Sequence, residues 1–517
     1  MTIWAQRYLE TMSQRDLACL ALAVCGLLLF INTIVFIRPN RLPLPELARY
    51  TPWWWTIMLG ALAVRVAFIW VPAPWYDEAF TILLARLDFA NLLSGTAGDV
   101  HPPLYYMLIA GFSDNILKLR LYSVAASMLS LWVFWVLTDD LYLTPAARLV
   151  ALACMAFMPT QIYYGQEARM YAVLQLLVLF QFMHMYHRAY TRLAITSILV
   201  LYLHNYGLYY CAVIYGLAFW REWHHHRNDN ERIPARWPAI LISGAVAFAA
   251  FIPWLVVLLG QMGRLEAGYW IQPPTPGSVL YDLLQIVYGV YMPDLAAIPA
   301  GISLGAILAA MIYYGLVRRR YTELAMIFGP LALALITGLF YRPVLLFRAL
   351  LPALPFMAVL AAIAITSEWR AWIWAIPAGA TLVLGCGWLI YMNSTGESHP
   401  QNIMLSPAES SSPRVVHLND ATLLGYLLYR PDQHHYLLQD DDCSMDGALS
   451  DQTRQALGIQ YITEDQLMPG DEIAMIVGPL AHPCMVETYH RLADTSTPVK
   501  TLDKTYWVEG VWRYAGP

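Results

Sequence analysis

Lysine is almost missing from this chain: Lys118, Lys500 and Lys504 are the only lysines among 31 basic residues, so arginine carries nearly all of the positive charge. Charge of either sign is scarce, at 13% of residues against about a quarter in ordinary soluble domains. With a formal net charge of -5 there is no basic surplus for a polyanion, which excludes nucleic acid as a partner. The cysteines form no Cys-x-x-Cys pair and no Cys/His metal spacing. Acids are nearly absent from the apolar stretches, whereas a transporter would need polar groups spread through the membrane depth. There is no internal repeat and no low-complexity segment.

What is present is apolar and aromatic. Hydrophobic residues make up 59% of the chain, and 19 Trp with 33 Tyr suit a protein with many membrane interfaces. Stretches of roughly 17 to 25 apolar residues mark membrane spans. About twelve occur, near 17–37, 53–71, 116–137, 146–163, 171–187, 193–206, 208–220, 238–259, 298–317, 323–340, 344–366 and 372–392. Cys19, Cys25, Cys154, Cys211 and Cys386 fall in apolar runs and read as small core hydrophobes.

Arginine placement orients the spans. One set of loops, including Arg148, Arg188, Arg236 and Arg318 to Arg320, holds 14 basic residues and the other set nine, so the first is read as cytoplasmic. The N-terminus, the loop 72–115, the turn near 164–170, the loop 260–297 and the tail from about 393 are then outside. The stretch after Ile37 offers Arg-Pro-Asn-Arg rather than small residues, so a cleaved signal peptide is not expected. His224-His225-His226 lies in a basic cytoplasmic loop and reads as a solvated face. The expected architecture is an all-α polytopic bundle over residues 1–392 and a small extracytoplasmic α/β domain over 393–517. In that tail, Arg414–His417, His435–Leu438, Glu472–Val477 and Tyr506–Trp512 have strand patterns, and Ala421–Tyr429 a helical one. Outside the membrane, Cys443 and Cys484 of the tail would be free to form a disulfide.

The polar residues that interrupt the spans emerge on the outer side. Trp75-Tyr76-Asp77-Glu78 places two carboxylates at the outer end of a hydrophobic helix, as a helix cap or as working acids. His101-Pro102-Pro103-Leu104-Tyr105-Tyr106 follows in the same loop, and Phe80–Leu93 between them has the spacing of a helix lying in the interface. Tyr163-Tyr164-Gly165-Gln166-Glu167-Ala168-Arg169-Met170-Tyr171 joins two spans, with Glu167 and Arg169 either paired together or serving a ligand. His204-Asn205-Tyr206 and Arg342 to Pro355 complete the set. Arg65, inside the second span, is expensive in lipid and must face the bundle and find a partner.

Five of these segments, in this order, carry a resemblance: Asp77-Glu78, His101-Pro-Pro-Leu-Tyr-Tyr106, Arg120-Leu-Tyr-Ser123, Gln166-Glu-Ala-Arg-Met-Tyr171 and Arg348-Ala-Leu-Leu-Pro-Ala-Leu-Pro355. The chain resembles the GT-C glycosyltransferases that use a polyprenyl-phosphate sugar, in particular bacterial relatives of protein O-mannosyltransferases and of the aminoarabinose transferase acting on lipid A. The resemblance implies a GT-C bundle in a bacterial inner membrane and an extracytoplasmic transfer with inversion. The sugar would pass from an undecaprenyl-type donor to a hydroxyl of a lipid, a glycan or a protein. It implies a carboxylate at this position as general base, here Asp77, with Glu78 either helping it or orienting a loop. The leaving phosphate needs cations, which nominates Arg169 and Arg348, with His101, Arg120 and Arg342 behind them. Tyr76, Tyr105, Tyr106, Glu167, Tyr171, His204 and Asn205 would line the pocket. Neither metal nor other cofactor is expected. The competing reading is a flippase for a lipid-linked sugar.

Overall fold

The computed structural model describes residues 44–228, 236–264, 271, 273–289, 294–367, 372–395, 412–439, 449–477, 483–504 and 507–516. The expected span near 17–37, with Cys19 and Cys25, and Cys443 of the expected disulfide lie outside the described residues. The described residues fall into two compact units. The first takes those of Met1–Val71, Arg120–Pro253 and Ile271–Ser394; the second takes those of Pro72–Leu119, Trp254–Trp270 and Thr395–Pro517.

The first unit is a helical bundle, and each of the other expected spans has its helix. Leu44–Val66, Ile116–Asp140, Tyr171–Tyr186, Tyr190–Leu203, Gly207–Asn228, Trp237–Arg264, Asp294–Val317, Tyr321–Phe340 and Trp372–Thr395 are unbroken. Pro145–Phe157 turns by 53° into Pro159–Gln166, and a 3-10 turn, Phe347–Ala353, leads into Leu354–Ser367. Among the described residues four helices are long and apolar enough to cross a membrane on their own, and the bent pair makes a fifth.

The bend has a chemical cause, which also explains Arg65. Pro159 has no N–H, so the carbonyl of Met155 loses its partner four residues on. Arg65, wholly buried, supplies the missing donors: Nη1 to the carbonyl of Ala156 at 2.7 Å, Nη2 to that of Met155 at 3.4 Å, and Nε to Ser127 Oγ at 2.9 Å. The intramembrane arginine therefore pairs with helix-end carbonyls and a hydroxyl. Gly165 leaves room for this, since a Cβ there would stand 2.8 Å from Ser127 Oγ and 3.2 Å from Arg65 Nε.

Loops that the arginine count placed on one side do share one end of the bundle. Arg148 binds Asp139 at 2.7 Å, His187 binds Asp140 at 2.8 Å, and Arg188 grips Glu222 through two bonds of 2.6 Å. Arg320 reaches the carbonyl of Leu141 at 2.8 Å, tying the 141 and 320 loops together. These bidentate and half-buried pairs hold better than solvated ones.

The second unit contains a six-stranded sheet in the order β3-β2-β1-β4-β6-β5, with β1 Arg414–His417, β2 His434–Leu438, β3 Gln460–Ile462, β4 Glu472–Val477, β5 Ser496–Lys504 and β6 Trp507–Tyr514. β1 is parallel to β2 and β4, and β2 to β3, so crossover helices are required; Asp420–Tyr429 and Asp451–Ala456 provide the first two. Val416, Leu418, Leu438, Ile473, Met475 and Trp512 form the core. The sequence pattern found β1, β2, β4, β6 and the first crossover helix but missed β3, three residues long, and β5, whose Ser-Thr-Pro start carries no apolar alternation.

Two expectations about the outer loop need correction. Asp77 and Glu78 do not end the preceding span: that helix stops at Val66, and the pair opens a new helix, Tyr76–Ala85. The interfacial helix expected over 80–93 is likewise two helices, because Asp88 Oδ1 accepts the N–H groups of Ala90 and Asn91 at 3.0 and 3.1 Å and starts Phe89–Gly98 afresh.

Candidate functional site

In the bundle unit, cationic and aromatic side chains gather where three interrupted spans meet. The buried helix Pro159–Gln166 stops at Glu167, and the turn that follows, closed by the Arg169 N–H on the Glu167 carbonyl at 2.8 Å, turns Arg169 inward at 2% exposure. Tyr171 then begins the next helix, fully buried. Arg348 sits in the 3-10 turn, its guanidinium 5.6 Å from the centre of the Tyr171 ring. The His204 ring lies 5.8 Å from Tyr171, and the charges of both Arg169 and Arg348 act on it. Tyr164 packs edge-on against Tyr171 at 5.2 Å and against Phe347 at 6.2 Å.

Backbone contacts fix this arrangement. His204 Nδ1 accepts the Tyr206 N–H at 3.1 Å, which puts the ring proton on Nε2 and makes that nitrogen a donor. The Tyr206 hydroxyl donates to the Val344 carbonyl at 2.6 Å, and Tyr210 donates to that of Ala349 at 3.1 Å. The turn bearing His204 and Asn205 is thereby bolted to the segment bearing Arg342 and Arg348. Two guanidinium groups, one of them buried and the other partly so, and a donor imidazole thus stand beside a ring wall, a set of groups whose chemistry suits an anion.

Gln166 and Arg120 have structural work here. Gln166 Nε2 donates to the carbonyls of Val64 and Arg65 at 3.1 and 3.0 Å, capping the span that ends at Val66, while Asn393 holds its Oε1 at 3.0 Å. Arg120 Nη1 donates to the Ile69 carbonyl at 2.8 Å, fixing the chain just past that span.

The second unit holds the acids. Glu78 is 1% exposed in the first turn of Tyr76–Ala85, beside half-buried Asp77. Tyr105 and Tyr106, wholly buried, meet edge to face at 6.1 Å, and Tyr106 also meets Phe80 at 6.1 Å, so the His101-Pro-Pro segment is packed onto the acid-bearing helix. The Tyr76 hydroxyl is sealed from solvent. Burial first, then the carboxylates of Asp420, Asp99 and Asp77, raise its pKa well above that of a free phenol, against an opposing effect of Arg454. Tyr76 is thus a neutral hydroxyl among charges.

The sequence-predicted residues therefore form two groups: Glu167, Arg169, Tyr171, His204, Asn205, Arg342 and Arg348 with Arg120 in the bundle unit, and Tyr76, Asp77, Glu78, His101, Tyr105 and Tyr106 in the other. Sequence reasoning missed Asp99, Asp420 and Arg454. The available signals were Asn419-Asp420 after a strand pattern and Ser450-Asp-Gln-Thr453, a helix start whose Ser450 Oγ accepts the Thr453 N–H at 3.2 Å. No group of three or more His, Cys, Asp or Glu placed to hold a metal occurs among the described residues.

No family profile and no curated protein matches the sequence. The fold is matched among solved structures. ArnT from Cupriavidus metallidurans in the apo state aligns with a TM-score of 0.53 at 12% identity, over 91% of this chain and 100% of that one. The same protein bound to undecaprenyl phosphate aligns with a TM-score of 0.53 at 13% identity, over 90% and 99%. The chain thus has an ArnT-like fold, a multi-span helical bundle with a C-terminal mixed α/β sheet.

Proposed function

We propose that this protein is an inverting glycosyltransferase that moves a sugar from a polyprenyl phosphate to an acceptor hydroxyl on the outer face of a bacterial inner membrane. The observation that carries the reading is the anion site of Arg169, Arg348 and His204 against Tyr171. The likeness in fold to a protein that has been solved with undecaprenyl phosphate bound adds to it.

The two groups of residues divide one chemical problem. An acceptor O–H attacks the anomeric carbon from the face opposite the phosphate, forming a C–O bond as the bond from that carbon to the phosphate oxygen breaks. The electron pair leaves on the phosphate, and the hydroxyl proton passes to the Asp77 carboxylate. The products are the inverted glycoside and polyprenyl phosphate. Arg169 and Arg348 hold phosphate oxygens in pairs, His204 Nε2–H adds a donor, and all three bind more tightly as negative charge grows. Glu78 orients the Asp77 helix, and His101 and Arg342 are the further candidates for the phosphate. Tyr105, Tyr106 and Tyr171 present faces to the sugar. The acceptor is a lipid, a glycan or a protein hydroxyl.

The test is cleavage. Liposomes containing the purified protein and a short-chain polyprenyl-phosphate sugar, supplied with candidate acceptors, should release polyprenyl phosphate only when an acceptor is present, and not with Asp77→Asn. A flippase would move the donor across the bilayer intact, and that outcome would replace this reading.

A further inference from the structure

The C-terminal domain is docked on the acid-bearing segment by contacts of unusual closeness. Within the second unit, Thr453 Oγ1 donates to the Gly95 carbonyl at 2.9 Å, and Gln452 Nε2 donates to Ser94 Oγ at 3.1 Å. Gly98 has no side chain where one would strike Ser450 and stand 2.7 Å from Thr453 Oγ1, and a Cβ on Gly95 would lie 2.7 Å from Leu84. Gly98 thus lets helix Phe89–Gly98 approach helix Asp451–Ala456, and Gly95 lets the same helix lie against Leu84 of Tyr76–Ala85, on which helix Asp420–Tyr429 also packs.

Between these helices lies a buried ion pair. Arg454 Nη2 meets Asp420 Oδ2 at 3.0 Å, with the side chains only 6% and 2% exposed. Both charges act on the Tyr76 phenol, as do those of Asp99 and Asp77. Burying a charge pair gains little stability over apolar packing, and its best use is to fix one arrangement of the groups around it. Here the pair ties helix Asp420–Tyr429, which packs on Tyr76–Ala85, to helix Asp451–Ala456, which packs on Phe89–Gly98.

We infer that the C-terminal domain is a working part of the acidic site, its Arg454–Asp420 pair fixing helix Asp420–Tyr429 and so holding the helix it packs on, which carries Asp77, in its working position. Arg454 and Asp420 are positioning residues, and the inference rests on the proposed role of Asp77. A domain that merely decorated the outer surface would not need a glycine at position 98 and a buried ion pair against the helices next to the base.

Hydrogen exchange on the full-length protein tests this. In Arg454→Gln the amides of residues 79–85 should exchange at least tenfold faster than in wild type, and the envelope product should fall at least tenfold in cells with equal protein. Undecaprenyl phosphate binding, which belongs to the bundle unit, should stay within twofold. Arg454→Lys should restore most of the protection and most of the product. Asp420→Asn, isosteric and gentler, carries the test should Arg454→Gln fail to fold. Unchanged exchange over 79–85 in the folded variants, or faster exchange with full product, overturns the inference. Failure of the Asp77 role is read separately, from Asp77→Asn.

Discussion

Tyr206 donates its hydroxyl proton to the carbonyl of Val344 at 2.6 Å and accepts the N–H of Leu346 at 2.9 Å, so one phenol binds two backbone groups nearly 140 residues away along the chain. The turn holding His204 is thereby placed beside the 3-10 turn holding Arg348. Tyr206→Phe leaves a backbone donor and acceptor without partners, at about 1 to 3 kcal/mol each if they stay dry. The variant should fold, show a lower melting temperature, and bind undecaprenyl phosphate several-fold more weakly in a lipid-binding titration. Unchanged affinity would mean that the two turns keep their places without this bond.

The arginines themselves should matter more. Arg169→Ala and Arg348→Ala each remove a charge-assisted pair of bonds to phosphate, about 1.5 to 3 kcal/mol, or roughly ten- to a hundredfold in affinity. Arg→Lys at either position should recover only part of it, because an ammonium cannot hold two oxygens in the guanidinium fork. Short-chain and full-length polyprenyl phosphates should lose affinity equally, since the effect resides in the head group. Wild-type affinity in both alanine variants would move the phosphate site to His101, Arg120 or Arg342.

Arg65 makes a stability prediction with little direct bearing on chemistry. Arg65→Met removes the donors that replace the missing N–H of Pro159 and strands the Met155 and Ala156 carbonyls in the bundle. The cost should be on the order of 3 kcal/mol, read as a lower melting temperature in detergent. The double variant Arg65→Met with Pro159→Ala should be less damaged than the sum of the single ones, because alanine restores an N–H and the helix can straighten. Additivity would show that the arginine does not compensate for the proline.

The spans were legible because the membrane demands long apolar helices, and the arginine bias correctly grouped loops that now share ion pairs, such as Arg188 with Glu222. The polar clusters were legible because polar residues stand out against an apolar background. What could not be read was tertiary. Nothing in the sequence says that Arg65 answers Pro159, or that Gln166 and Arg120 spend donors on the carbonyls of Val64, Arg65 and Ile69. Asp420 and Arg454 look like ordinary surface charges until the fold buries them together.

The C-terminal domain should be sensitive to acid. His417 Nε2 and His435 Nδ1 are 3.1 Å apart, His417 Nδ1 meets Thr422 Oγ1 at 3.0 Å, and His435 Nε2 meets the Arg430 carbonyl at 2.7 Å. Burial foremost, then the charge of His435, holds the His417 pKa well below its ordinary value, and burial lowers that of His435 too. The folded domain therefore prefers both rings neutral, while the unfolded chain protonates near pH 6.5. The associated stability is complete above that pH and is lost as pH falls from there toward the depressed folded values. Protection factors of the β1 and β2 amides, corrected for intrinsic exchange, should fall below about pH 6 and should do so much less in the non-titrating variant His417→Asn/His435→Asn. Protection factors in wild type that do not change with pH would contradict the account.

The central claim is that Asp77 removes the acceptor proton in a sugar transfer at the outer membrane face. Mass spectrometry of envelope lipids, glycans and proteins should be compared among cells with the wild-type protein, without it, and with Asp77→Asn at equal abundance. The account predicts a species heavier by one sugar in wild type alone, with Asp77→Asn indistinguishable from the deletion, because a general base is worth about a hundredfold or more. Full accumulation of that species with Asp77→Asn, or no difference between wild type and deletion, would contradict it.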